Sequence, residues 1–159
     1  MQRRYTVLLA ISVFLVMVFT AVTIAADNNV GTWKMDTAKS KFSPGPAPKS
    51  QTLKIATLGA DGVKFVADGM DADGKVTHWE LDAQYDGKFV PFKGNPDADM
   101  LAYKRINPTT LEATTQRAGK VTGTTMIVVS ADGKTRTLTQ TGTNAKGETI
   151  NNVIVYGKQ

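Results

Sequence analysis

The chain has 159 residues, no cysteine and one histidine, with 19 lysines and arginines against 14 acidic residues. Disulfides, thiol nucleophiles, Cys-based metal sites and a lipidated N-terminal Cys are excluded, as is a zinc site built from several histidines. From position 27 onward there are 17 basic and 14 acidic residues, a net charge of +3, too mild for a nucleic-acid partner.

The chain opens on Gln2-Arg3-Arg4, followed by an apolar run over 6–24 and the small residues Ala25-Ala26. Basic start, apolar stretch and small-residue cleavage site are the pattern of a secretory signal peptide. The expectation is a signal peptide over 1–26 and a single domain over 27–159, with a periplasmic or secreted destination. The run is also close to the roughly 20 residues that span a bilayer, so the alternative is an uncleaved N-terminal anchor. Membrane contact is expected only through that segment. Arg3-Arg4 invites twin-arginine export, but the residues around the pair fit that signal poorly.

After position 26, threonine is abundant (18) and glutamate scarce (3). Apolar residues recur with period 2, the strand signal, and no helical stripe is found. Ten strands are predicted over 31–36, 50–58, 63–70, 75–84, 88–92, 99–105, 110–116, 121–130, 134–142 and 149–157. The turns between them carry Asp-Gly or a related pair: Asp61-Gly62, Asp73-Gly74, Asp86-Gly87, Ala118-Gly119, Asp132-Gly133 and Lys146-Gly147. Such residues tolerate the positive φ of tight hairpins. Connections this short leave no room for crossover helices, so pairing is antiparallel. The predicted fold class is all-β, an antiparallel up-and-down meander of about ten strands, and closing it into a barrel removes both edges. The connection with Pro44, Pro46 and Pro48 excludes a helix. It is either a stiff surface loop or a cover over one barrel mouth.

Gly31-Thr32-Trp33 resembles the start of lipocalin-like (calycin) barrels, whose first strand carries Gly-x-Trp and whose last strands supply a basic residue over the Trp. Lys158 is the candidate for that residue. The stretches Gly31-Thr32-Trp33-Lys34 and 38–48 also resemble a group of uncharacterised secreted bacterial proteins. Fatty-acid-binding barrels share the Gly-Thr-Trp-Lys start and ten strands. The resemblance departs from them in two places. The proline connection stands where they have two helices, and Ile154-Val155-Tyr156 lacks their Arg-x-Tyr. Carboxylate capture by that route is therefore not expected.

Candidate chemistry is sparse. Gly69–Gly74 with Glu80 imitates a calcium loop, but Gly69 stands where the first ligand belongs and both flanks alternate like strands. Asn95-Pro96-Asp97-Ala98-Asp99 reads as a solvated loop. His78 shares its strand face with Glu80 and Asp82, opposite Trp79 and Leu81. It is therefore expected outside the barrel, beside a cross-strand neighbour. No Gly-x-Ser-x-Gly elbow or phosphate loop is present, and the reading is of a non-enzyme without cofactor. Alternation sends Trp33, Met35, Leu53, Ile55, Val63, Phe65, Trp79, Leu81, Tyr85, Leu101, Tyr103, Leu111 and Ile127 inward, while the odd-numbered threonines 135–143 suit an outer face, the alternative being a polar lining of a cavity for an amphipathic ligand. That inner set is small for the volume ten strands enclose, since about eight strands already make room just filled by side chains. The expectation is a barrel binding a small apolar or amphipathic molecule, with Phe65, Trp79, Leu81, Tyr85 and Tyr103 as candidate ligand-binding residues and no metal site. A cavity of about 300 Å³ or more would favour it. The alternative is an envelope or extracellular interaction module with a filled core.

Overall fold

The computed structural model describes residues 27–159, and the expected signal segment 1–26 lies outside them. Ten antiparallel strands follow one another: β1 (Gly31–Met35), β2 (Ser50–Thr57), β3 (Gly62–Met70), β4 (Val76–Gln84), β5 (Asp86–Pro91), β6 (Met100–Asn107), β7 (Thr110–Arg117), β8 (Lys120–Val129), β9 (Thr135–Thr143) and β10 (Thr149–Lys158). Their order in the sheet is β4-β3-β2-β1-β10-β9-β8-β7-β6-β5. The first and last strands pair through Trp33–Lys158, Lys34–Gly157 and Met35–Tyr156, so the meander curls round on itself.

The barrel is nearly closed, as expected. Between β4 and β5 there is no ladder, and one two-bond bridge between Glu80 and Lys93 spans them. Aromatic side chains fill the breach instead. Phe92 sits edge-on to Phe65 at 6.2 Å and to Trp79 at 6.1 Å. Gly94 is required where the chain crosses β4. Its φ is +79°, and a Cβ there would lie 2.0 Å from the His78 carbonyl oxygen.

The turns follow their sequence chemistry with one shift. Gly74, Gly87, Gly133 and Gly147 all have positive φ, whereas in the first hairpin that role falls to Gly59 and Gly62 begins β3. Asp71 and Asp132 each accept from a backbone N–H two residues ahead, the Asx turn.

The core comes from the inward-alternating residues. Apart from half-buried Trp79, every member of the expected inner set is buried, and Phe92, Val129, Ile154 and Tyr156 join them. On β9 the threonine row points outward, with Thr135, Thr139, Thr141 and Thr143 exposed, which turns Arg136, Leu138 and Gln140 toward the interior. Trp33 has no exposure at all; its Nε1–H donates to the Asn29 carbonyl at 2.9 Å, and Lys158 Nζ lies 5.0 Å over its ring. Gly31 makes room for that lysine, since a Cβ there would stand 2.6 Å from Lys158 Cε.

Candidate functional site

The barrel is sealed at the Trp33 end and has its mouth at the other. At the sealed end Asp27 accepts from the Tyr85 hydroxyl at 2.9 Å and from Arg105 at 3.0 Å. Asn29 donates to the same hydroxyl, and Arg105 also bonds Asp61 and stacks 4.1 Å over the Tyr85 ring. Burial works to raise the Asp27 carboxyl, but the hydrogen bonds from Arg105, the Asn29 backbone and Tyr85 hold it below the usual carboxylate range. At the mouth end the 38–50 connection first pairs with β10, Lys41 against Val153 and Ser43 against Asn151 and Asn152. It then brings Pro44, Pro46 and Pro48 to the mouth of the interior, with Pro44 and Pro46 still exposed, so the proline connection is a surface loop that borders the mouth.

Beneath it lies a cavity of about 340 Å³. Its wall is mixed. Leu53, Phe65, Trp79, Phe92 and Leu101 line it from the β2–β6 side, and both apolar residues (Ile127, Leu138, Ile154) and polar ones (Thr115, Thr125, Gln140) from the β7–β10 side. At its base stand Tyr103, Tyr156 and Arg136, while Gln51, next to the start of β2 at the mouth end, also lines it. Arg136 is 1% exposed, and its Nε–H donates to Asn29 Oδ1 at 2.9 Å, which ties the cavity base to the sealed end. The Tyr156 hydroxyl is bonded to Gln51 Oε1. Burial raises the Tyr103 hydroxyl, with neighbouring Arg136 partly offsetting it, and burial raises Tyr156 as well. Both phenols therefore keep their protons at neutral pH.

Of the residues singled out from the sequence, Phe65, Trp79 and Tyr103 line this cavity, while Leu81 and Tyr85 are buried elsewhere. Tyr85 belongs to the polar network of the sealed end, and its ring stands edge-on to Tyr103 at 6.2 Å. Arg136, Tyr156, Gln51 and Phe92 were missed. The parity of the β9 threonines was the available signal for Arg136, because an outward row at odd positions leaves the even ones inward.

His78 lies outside the barrel, with Nδ1 2.7 Å from Asp68 Oδ1 across the β3–β4 pair. Hydrogen bonding to that carboxylate raises its pKa. In the 95–99 loop, Asn95 accepts from the backbone of Asp97 and Ala98, Asp97 from Ala145, and Asp99 from Ala118. Those side chains hold the loop and its neighbours together.

No family model and no curated protein matches the chain. Among solved structures it is similar to the fluorescent protein UnaG, with a TM-score of 0.52 at 15% identity, over 82% of this chain and 96% of that one. A zebrafish ileal bile acid-binding protein complexed with cholic acid is similar with a TM-score of 0.48 at 12% identity, over 83% of this chain and 99% of its own. The first likeness shows the fold, a ten-stranded lipocalin-like barrel. The resemblance to secreted bacterial proteins rests on the sequence motifs alone.

Proposed function

We propose that the chain from Asp27 onward is an exported barrel, periplasmic or secreted, that takes one small apolar or amphipathic molecule into its interior. The cavity of about 340 Å³ carries this reading, because small-molecule sites occupy roughly 300–1,000 Å³ and are lined mostly by apolar and aromatic groups. An interaction module would have no use for an unfilled interior, since voids cost packing energy. The proline connection and the aromatic wall serve the same reading, one bordering the mouth and the other giving contact area. The role is binding rather than catalysis. The lone histidine stands on the outer face and is paired to Asp68, away from the cavity.

Native mass spectrometry of the protein purified from its own host tests this. A co-purifying small organic molecule in one-to-one ratio is expected. It should be lost in Ala113→Trp, which fills the cavity from β7, provided circular dichroism shows the β-sheet intact. Wild-type protein that carries no such molecule and takes up no fatty acid, retinoid or quinone would overturn the proposal in favour of the interaction module.

A further inference from the structure

The inner face of β8–β10 is built in layers. Ile127, Leu138 and Ile154 are direct cross-strand neighbours, and one step nearer the mouth so are Thr125, Gln140 and Asn152. All six line the cavity. An apolar layer thus lies beneath a polar, uncharged one, roughly 7 Å away along each strand.

The polar layer has a fixed direction. The backbone N–H of Ser43, in the proline connection, donates to Asn152 Oδ1 at 2.9 Å. A backbone N–H can only donate, so the Asn152 oxygen must face it and the Asn152 amide NH2 is turned toward Gln140. That group donates to Gln140 Oε1 at 3.0 Å. The Gln140 amide is oriented in turn, because the opposite placing would set donor against donor. Its two Nε2 hydrogens therefore point away from Asn152, and Nε2 has no partner among the described residues. Among those residues the side-chain nitrogens that are both unpartnered and fully buried are Trp79 Nε1 and Arg136 Nη1. Gln140 Nε2 is not one of them, so it keeps open space in front of it, and the side chain lines the cavity. Nearby groups carry no such sign. Thr122 donates to Thr115, and Thr115 to the Gly123 carbonyl. The Thr125 hydroxyl can give or take, and so can the Tyr156 hydroxyl that Gln51 meets, which leaves the Gln51 amide without a fixed direction.

We propose that Gln140 selects the ligand, and that Asn152 and the Ser43 backbone are what position it. The molecule is uncharged and carries a carbonyl oxygen, as in a ketone or lactone, with hydrocarbon on the side away from the mouth. The carbonyl accepts from Gln140 Nε2, and the hydrocarbon lies against the layer of Ile127, Leu138 and Ile154. The claim rests on the cavity being a binding site and adds what that site selects. Sites built to hydrogen-bond a ligand group discriminate strongly against analogues lacking it.

The test is displacement of N-phenyl-1-naphthylamine, a neutral reporter, by 2-decanone, decan-2-ol and 2-methyldec-1-ene, in which a CH2 group replaces the ketone oxygen. In Gln140→Met, which keeps the side-chain length and loses the donors, the ketone-to-alkene affinity ratio should fall about 5-fold or more from its wild-type value. If that variant does not fold, Gln140→Glu, of the same shape and without the NH2 group, should show the same fall. Asn152→Asp tests the positioning. Its carboxylate still accepts from Ser43 but cannot donate to Gln140, so the Gln140 amide turns over and offers its oxygen to the cavity. The ketone-to-alcohol ratio should then fall about 5-fold or more in favour of the alcohol. A ketone-to-alkene ratio unchanged in the Gln140 variant would overturn Gln140 as the selecting residue while leaving the cavity reading intact. Equal weakening of all three probes in Asn152→Asp would reduce Asn152 to a structural role and overturn the positioning. Failure of every probe, the alkene included, to bind the wild-type protein would overturn this inference and the binding reading together.

Discussion

Trp33 combines full burial, a hydrogen bond to Asn29 and a lysine over its face. Removing the ring opens a large void, and losses for buried aromatics run to about 3–5 kcal/mol, with the cation contributing roughly 0.5–2 kcal/mol of its own. Trp33→Ala should therefore lower the urea midpoint enough to unfold much of a marginal domain. An unchanged midpoint would make the Gly-x-Trp motif incidental. Asp27 gives a pH signature at the same end. Its folded-state pKa lies below the unfolded one, so its contribution is present above about pH 4 and is lost as the pH falls through the lowered value. Asp27→Asn should cost about 1–3 kcal/mol at neutral pH and flatten the acid limb of the stability profile. Equal slopes for both proteins in acid titration would contradict the network. At this scale the sequence was uneven in what it disclosed. The Trp33–Lys158 contact was legible because a short motif marks both partners. Arg136 was not, because a charged residue in an alternating strand is by default taken as facing water.

At the scale of elements, the ten strands lie within a residue or two of their sequence-predicted bounds, because Asp-Gly turns and threonine-rich alternation act locally. Register did not show, since it depends on how strands meet, and neither did the place where the barrel is left partly open. The breach between β4 and β5 had one signal. Pro91 ends β5, and proline lacks the N–H that an interior ladder needs. The breach makes a dynamic prediction. Amides on the open side of β4, apart from Glu80, should exchange with solvent faster than those of β9, which is paired on both flanks. Uniform protection around the barrel in hydrogen exchange would show that β4 and β5 are joined more fully. The Lys93–Glu80 side-chain contact is exposed on both sides, so Lys93→Ala should leave stability almost unaltered while the backbone bridge persists.

At the scale of the molecule, the sequence implied a barrel with too few apolar side chains to fill it, and that shortfall reappears as the cavity. The polar part of its wall was not legible in one threonine row, because Thr115, Thr125, Gln140 and Asn152 come from four different strands. Export belongs to this scale as well. N-terminal sequencing of the exported protein should read from Asp27, which follows the small residues Ala25-Ala26; full-length chain held in the membrane fraction would show an anchor. The central claim, that the interior receives a small molecule, is tested most directly by the fluorescence of Trp79. In a Trp33→Phe variant it is the only indole left, and it stands on the cavity wall against Phe92. Titration with fatty acids, retinoids and quinones should shift or quench a buried-type emission saturably at one equivalent. A buried-type emission unmoved by the whole panel would contradict the claim.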